Sequence, residues 1–171
     1  MDRLWAPWRH NYVGDSSTRP TGCVFCAAAE AIAESDELPT AGPGELVLAR
    51  GEHVYSILNR YPYNNAHLMM VPYAHVGTLA ETAAEALCES MTMATRWTQI
   101  LTVAMGVEGF NLGYNLGAAA GAGLAAHLHL HLVPRWWGDT NFMPAVGGVK
   151  VLPEALDTTR DRLRAAWQAS E

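Results

Sequence analysis

The sequence predicts an α+β fold, an antiparallel sheet covered by a long helix and a C-terminal helix, and three observations carry the prediction. Strand-like runs follow one another at residues 45–49, 53–58 and 67–71, separated by Arg50-Gly51-Glu52 and by the turn-rich stretch 59–65. Apolar residues then recur at helical intervals from Leu79 to Ala104. Finally, His127-Leu128-His129-Leu130-His131-Leu132 alternates strictly, the period of a strand with two chemically different faces. The resulting order, β-β-β-α-β-β-α, is that of an antiparallel sheet with helices packed on it.

Residues 1–20 hold three aromatics and Pro7 without a period, and are expected to lie as an extended arm. Residues 20–26 read as a turn, 27–33 as a short helix and 34–44, with Pro39 and Pro43, as a loop. Thr78 and Glu81 have capping-box spacing, so the long helix is expected to open there. Leu79, Ala83, Leu87, Met91, Ala94, Leu101 and Ala104 would then face the sheet, with Cys88 in the core. A strand follows at 110–115, a glycine and alanine loop at 117–123 and the histidine strand at 126–133. The last helix is expected from about Pro153, burying Leu156, Leu163 and Trp167.

At 171 residues the expectation is one domain spanning 1–171. Half the residues are apolar and 16% are charged, which excludes a disordered chain. No apolar run approaches the roughly 18 residues that span a bilayer, and Met1-Asp2-Arg3-Leu4-Trp5 lacks the apolar core of a secretory signal, so a cytoplasmic protein without a membrane partner is expected. A net charge of -6 gives no global attraction for nucleic acid, and a small anionic substrate would need local donors.

The alternating run places three imidazoles on one face, about 6 to 7 Å apart, while the leucines enter the core. Histidine can act as nucleophile, proton donor or metal ligand near neutral pH. One reading is a metalloenzyme in which His127, His129 and His131 share an ion, although that spacing is awkward around one centre at about 2 Å. Ahead of the row, Gly117-Ala118-Ala119-Ala120-Gly121-Ala122-Gly123 has no side chain larger than a methyl, so its amides can approach phosphate oxygens. Cys23-Val24-Phe25-Cys26 is a second constellation. It suggests thiolate metal binding or redox work; the redox reading wants a βαβ context that is missing, and zinc would need two further ligands.

These motifs resemble the histidine triad family of nucleotidyl hydrolases and transferases. The His127-to-Val133 run resembles its triad, Asn115-Leu116-Gly117-Ala118-Ala119-Ala120-Gly121 its upstream loop, and Ala66-His67-Leu68-Met69-Met70-Val71-Pro72-Tyr73-Ala74-His75 its His-x-Leu-x-x-Pro-x-x-His segment. Leu4-Trp5-Ala6-Pro7-Trp8-Arg9, Pro134-Arg135-Trp136 and Gly138-Asp139-Thr140-Asn141-Phe142-Met143 are similar to the branch of diadenosine tetraphosphate phosphorylases. The resemblance implies a HIT-like fold and cleavage of a dinucleoside polyphosphate through a nucleotidyl-histidine, with inorganic phosphate as acceptor and ADP and ATP as products. A hydrolase or nucleoside phosphoramidase using water is the alternative, and a nucleotide-binding protein without turnover a further one.

Residue by residue, the resemblance marks His129 as nucleophile, His131 as the neighbouring proton donor and His67 as a further histidine beside them. The ring nitrogen of His129 that does not react needs an acceptor to fix the tautomer, expected on the neighbouring strand. Asn59 matches the family's ribose-binding residue, and the alternative is a turn residue ahead of Pro62. Asn115 matches a residue near the phosphates, and Gly121, Ala122 and Gly123 would supply backbone contacts. The family's usual Gln and Ser or Thr are absent here, replaced by Gly123 and Leu124, so no side-chain phosphate contacts carry over. The resemblance completes a structural Zn2+ site from Cys23, Cys26, His75 and His127, with no organic cofactor, and implies a homodimer or larger assembly. Arg135, Asp139 and Asn141 are candidates for a second anion pocket, while Trp136 or Phe142 could stack on a base or pack at a subunit interface.

Overall fold

The computed structural model describes residues 22–141, 143–147 and 153–170. The expected arm at 1–20 and Phe142 lie outside the described residues. The elements are α1 (Val24–Ala33), β1 (Val47–Arg50), β2 (Val54–Leu58), β3 (Leu68–Pro72), α2 (Ala84–Met105), β4 (Gly109–Tyr114), β5 (Leu130–Arg135), α3 (Met143–Gly147) and α4 (Leu156–Gln168), with a 3-10 turn at Ala118–Ala120. The five strands form one antiparallel sheet in the order β1-β2-β3-β5-β4. The predicted element order stands, and the short α3 is an addition to it.

Register puts Leu68 opposite Leu132, Met70 opposite Leu130 and Met69 opposite His131. Leucines and histidines therefore leave the sheet on opposite sides. On the leucine side, Leu68, Met70, Leu130 and Leu132 are at most 2% exposed and join Trp97 and Leu101 of α2 and Leu163 of α4 in one core. Burying one such side chain contributes about 1.5–3 kcal/mol, so this layer anchors β3 and β5, the two strands beneath the histidine row. On the histidine side, α1 closes the sheet: the Tyr55 hydroxyl donates to the Phe25 carbonyl over 2.8 Å, and burial of that phenol pushes its pKa up.

Four expectations are corrected. Helix α1 begins at Val24, not 27, so the Cys-x-x-Cys motif forms its first turn. The long helix begins at Ala84: Thr78 and Glu81 do exchange capping-box hydrogen bonds, but they close an isolated turn. Its buried face is consequently Ala86, Ser90, Met93, Ala94, Trp97, Ile100 and Leu101, while Leu79 and Met91 are exposed. Cys88, expected in the core, is exposed on the opposite face. Lastly, β5 begins at Leu130, so His127, at a bend, and His129 precede the strand and only His131 lies within it. The alternation survives because Leu128 is also buried.

Candidate active site and metal centre

His127, His129 and His131 are at most 8% exposed. The first of them turns away from the other two. Its Nε2 lies 2.8 Å from the Pro72 carbonyl, so Nε2 carries the proton and Nδ1 faces the cysteines. Nδ1 is 3.2 Å from Cys23 Sγ and 3.7 Å from Cys26 Sγ, and Cys26 Sγ is 3.2 Å from His75 Nδ1. All four donor atoms lie within 4.8 Å of one another. Ligands at about 2.0–2.3 Å around a tetrahedral centre stand roughly 3.3–3.8 Å apart. The separations of 3.2, 3.7 and 3.2 Å are close to that spacing, and the rest need to close in from within 4.8 Å. The thiols sit at the N-terminus of α1, the end that favours anions, while burial and the adjacent Cys23 push the Cys26 thiol up. Burial lowers the pKa of His127, leaving its imidazole neutral and able to ligate. The Pro72 carbonyl is the outer partner that orients such a ligand.

Among the described residues this is the one group with metal-holding spacing, and it takes only His127 from the histidine row. A shared ion on all three histidines is therefore not what the geometry favours.

His129 Nδ1 is 2.8 Å from the His127 carbonyl, two residues back on its own segment rather than on the neighbouring strand as expected. That acceptor requires a proton on Nδ1, and the lone pair is then on Nε2. Burial lowers its pKa, which keeps the imidazole neutral near neutral pH with that lone pair available. Phe25 packs against both the His127 ring, at 5.4 Å between centroids, and the His129 ring, at 5.0 Å. Sequence reasoning missed Phe25, whose only signal was its place between the two cysteines.

His131 and His67 form a pair, His67 Nε2 being 3.0 Å from His131 Nδ1. Asn115, expected near the phosphates, has its Nδ2 3.2 Å from His131 Nε2. Tyr63 stacks on His67 at 4.7 Å, and its backbone N–H donates to His67 Nδ1 over 3.1 Å. Tyr63 carried no sequence signal because its hydrogen bond is made by the backbone and its ring stack depends on the turn that brings it over His67. Asn59 also approaches His67 Nδ1, at 3.5 Å, while its Oδ1 accepts from the Tyr61 amide, the turn role weighed above. In the glycine loop, the Gly121 and Ala122 amides donate to the carbonyls of Ala118 and Gly117 and are engaged within the loop.

The anion pocket expected around Arg135 is not formed. Arg135 donates to both carboxylate oxygens of Asp139, over 2.7 and 3.0 Å, and to Asn111 Oδ1 over 2.9 Å. Asn141 Oδ1 accepts from the Met143 amide, and Trp136 Nε1 donates to the Met105 carbonyl. The guanidinium neutralises a carboxylate instead of waiting for a phosphate.

The HIT domain family matches residues 44–136, the span that holds the sheet, α2 and the histidine row. The chain belongs to the HIT domain family. It is 40% identical over 167 residues, 98% of this chain and 85% of the relative, to the AP-4-A phosphorylase of two strains of Mycobacterium tuberculosis. Among solved structures, a zinc-bound histidine triad family protein from Mycobacterium smegmatis superposes with a TM-score of 0.65 at 23% identity, covering 88% of this chain and 98% of that one. A histidine triad nucleotide-binding protein from Sulfolobus tokodaii gives 0.65 at 22% identity over 86% and 93%. A diadenosine triphosphate hydrolase from Plasmodium falciparum gives 0.60 at 11% identity over 96% and 95%. These structural likenesses establish the HIT fold of the antiparallel sheet and its helices.

Proposed function

We propose that this HIT protein is a dinucleoside polyphosphate phosphorylase that converts diadenosine tetraphosphate and inorganic phosphate to ADP and ATP through a nucleotidyl-His129. The observation that carries the reading is the fixed tautomer of His129: the His127 carbonyl holds the proton on Nδ1, leaving a buried Nε2 lone pair. The AP-4-A phosphorylase relative, similar over nearly the whole chain, supports the substrate and the acceptor.

In the first step Nε2 attacks an α-phosphorus. An N–P bond forms, the P–O bond to the β-phosphate breaks, and the electron pair leaves with ATP. His131, paired to His67, is proposed to give a proton to a phosphate oxygen. In the second step an oxygen of inorganic phosphate attacks the same phosphorus, the N–P bond breaks, and ADP departs with His129 restored. Asn115 and the Gly121–Ala122–Gly123 segment are proposed to flank the phosphates, the Gly121 and Ala122 amides having to leave their bonds within the loop to donate, and Asn59 the ribose. With Arg135 engaged by Asp139, phosphate must be held by other donors, and the acceptor rests on the likeness to the relative.

Cys23, Cys26, His75 and His127 are proposed to hold one zinc per chain in a structural role, fixing the start of α1 against the histidine segment; no organic cofactor is needed. No helix among the described residues is long and apolar enough to cross a membrane. The working form we propose, on the family resemblance, is a cytoplasmic homodimer of single-domain chains. Single-turnover product analysis with and without phosphate tests the function. ADP and ATP formed only when phosphate is present are expected. AMP and ATP in amounts unchanged by phosphate would mark a hydrolase.

A further inference from the structure

Neither Asn64 nor Asp139 has a role in the chemistry described so far, yet both are tied to it by hydrogen bonds. Asn64 is 5% exposed and its amide nitrogen donates to the Pro134 carbonyl at the end of β5, over 2.9 Å, and to Asp139 Oδ2, over 2.7 Å. Its carbonyl accepts from the His67 amide at 3.2 Å, closing a tight turn around Ala66. Ala66 has φ of 53° and is 2% exposed, a left-handed conformation that a non-glycine residue keeps only when its surroundings over-determine it. Asp139 is itself held by Arg135 Nε and Nη2 and by the Trp136 amide. Thus β5 and the turn after it grip the 59–67 loop through one side chain.

That grip has a consequence for proton positions. A backbone N–H can only donate, so the Tyr63 amide requires a lone pair on His67 Nδ1. Neutral His67 therefore carries its proton on Nε2 and donates it to His131 Nδ1. With Nδ1 occupied as an acceptor, neutral His131 must carry its own proton on Nε2, the nitrogen that faces Asn115. The Asn115 amide has Nδ2 toward that nitrogen; the assignment requires it flipped end for end, so that Oδ1 accepts from the His131 Nε2–H. A backbone amide two imidazoles away decides which nitrogen of His131 can donate.

We propose that Asn64 and Asp139 are positioning residues that, by holding the Tyr63 amide against His67, make His131 a proton donor at Nε2. The assignment deepens the nucleotidyl-transfer reading and rests on it for the use made of the proton. It is tested by 15N-resolved NMR of the histidine side chains together with steady-state kinetics. In the wild-type protein, His67 and His131 should both carry the proton on Nε2 at neutral pH. Asn64→Ala should mix the His67 tautomers and lower kcat at least tenfold with KM within twofold. Asp139→Ala should act in the same direction, and Asp139→Asn, which keeps an acceptor for Asn64, should recover most of kcat and the wild-type tautomer.

Wild-type His67 with its proton on Nδ1 overturns the proposal, whether or not any variant folds. So does Asn64→Ala with unchanged kcat. Expected tautomers in a protein that forms no nucleotidyl-His129 would refute the proposed function while supporting the proton assignment.

Discussion

A buried histidine is a nucleophile only if something removes its ambiguity, and at position 129 the His127 carbonyl does so. Replacing His129 by Gly should leave a folded protein, because Leu128 and Leu130 still anchor the segment on the other side of the sheet. Turnover should fall by at least a thousandfold, with circular dichroism unchanged; activity within tenfold of wild type would end the assignment. The Arg135–Asp139 pair carries a pH-dependent contribution to stability. The Asp139 side chain is 7% exposed and the Arg135 hydrogen bond holds its pKa well below the usual carboxylate range. A depressed pKa stabilises the fold above the unfolded value near 4 and stops doing so as pH falls toward the folded one. Asp139→Asn should therefore cost about 1–3 kcal/mol at pH 7 by denaturant titration, with the difference narrowing below about pH 4. A difference that widens in acid would contradict the assignment. The row of histidines was legible because alternation is a strong local signal, whereas the fate of Arg135 was not. Whether a guanidinium meets substrate or Asp139 four residues on depends on the turn geometry between them.

At the scale of elements, α2 is held to the sheet by packing and also by one side chain. Glu89 accepts from the amides of Glu52, His53 and Val54 over 2.7, 2.6 and 3.1 Å, capping the β1–β2 turn. A Cβ on Gly51 would stand 2.3 Å from Glu89 Oε1 and 2.9 Å from the Val54 carbonyl, so the clasp also explains the glycine. Glu89→Ala should lower stability by about 2–4 kcal/mol, read as a shifted denaturant midpoint with an unchanged slope. A midpoint equal to wild type would show the clasp to be idle. The same helix shows why its start was misread. The reciprocal bonds between Thr78 and Glu81 are those of a helix start, but Ala83 has ψ of 142° and interrupts the chain before the helix begins. A capping box is a local pattern and closes an isolated turn equally well. Which face turns inward is set by the residues that pack on the sheet, centred on Ala86, Ser90, Met93 and Trp97, and Cys88 lies on the opposite side.

Across the whole molecule, the sheet order β1-β2-β3-β5-β4 brings two distant motifs to one end. The antiparallel layout was legible from strand spacing. The adjacency of β3 and β5 was not, because it joins segments some sixty residues apart through the paired leucines of the core. Their meeting places His75, just beyond β3, beside His127, and α1 supplies both cysteines to the same point. Phe25 then links this centre to the proposed nucleophile, touching the rings of His127 and His129. A metal here would close a loop of roughly a hundred residues between Cys26 and His127, and its loss would release α1 from the histidine segment. The core of β3, β5, α2 and α4 remains without it, so the chain should not unfold on chelation as a small zinc finger does. Cys23→Ser should reduce zinc to well below one per chain and destabilise by about 3–5 kcal/mol, which for a chain of this size lowers Tm by roughly 8–15 °C. Turnover should fall with it, through the loosened His129. Purified protein without metal, melting at the temperature of the zinc-loaded form, would remove the centre from this account and leave four close-packed side chains without a ligand to explain them.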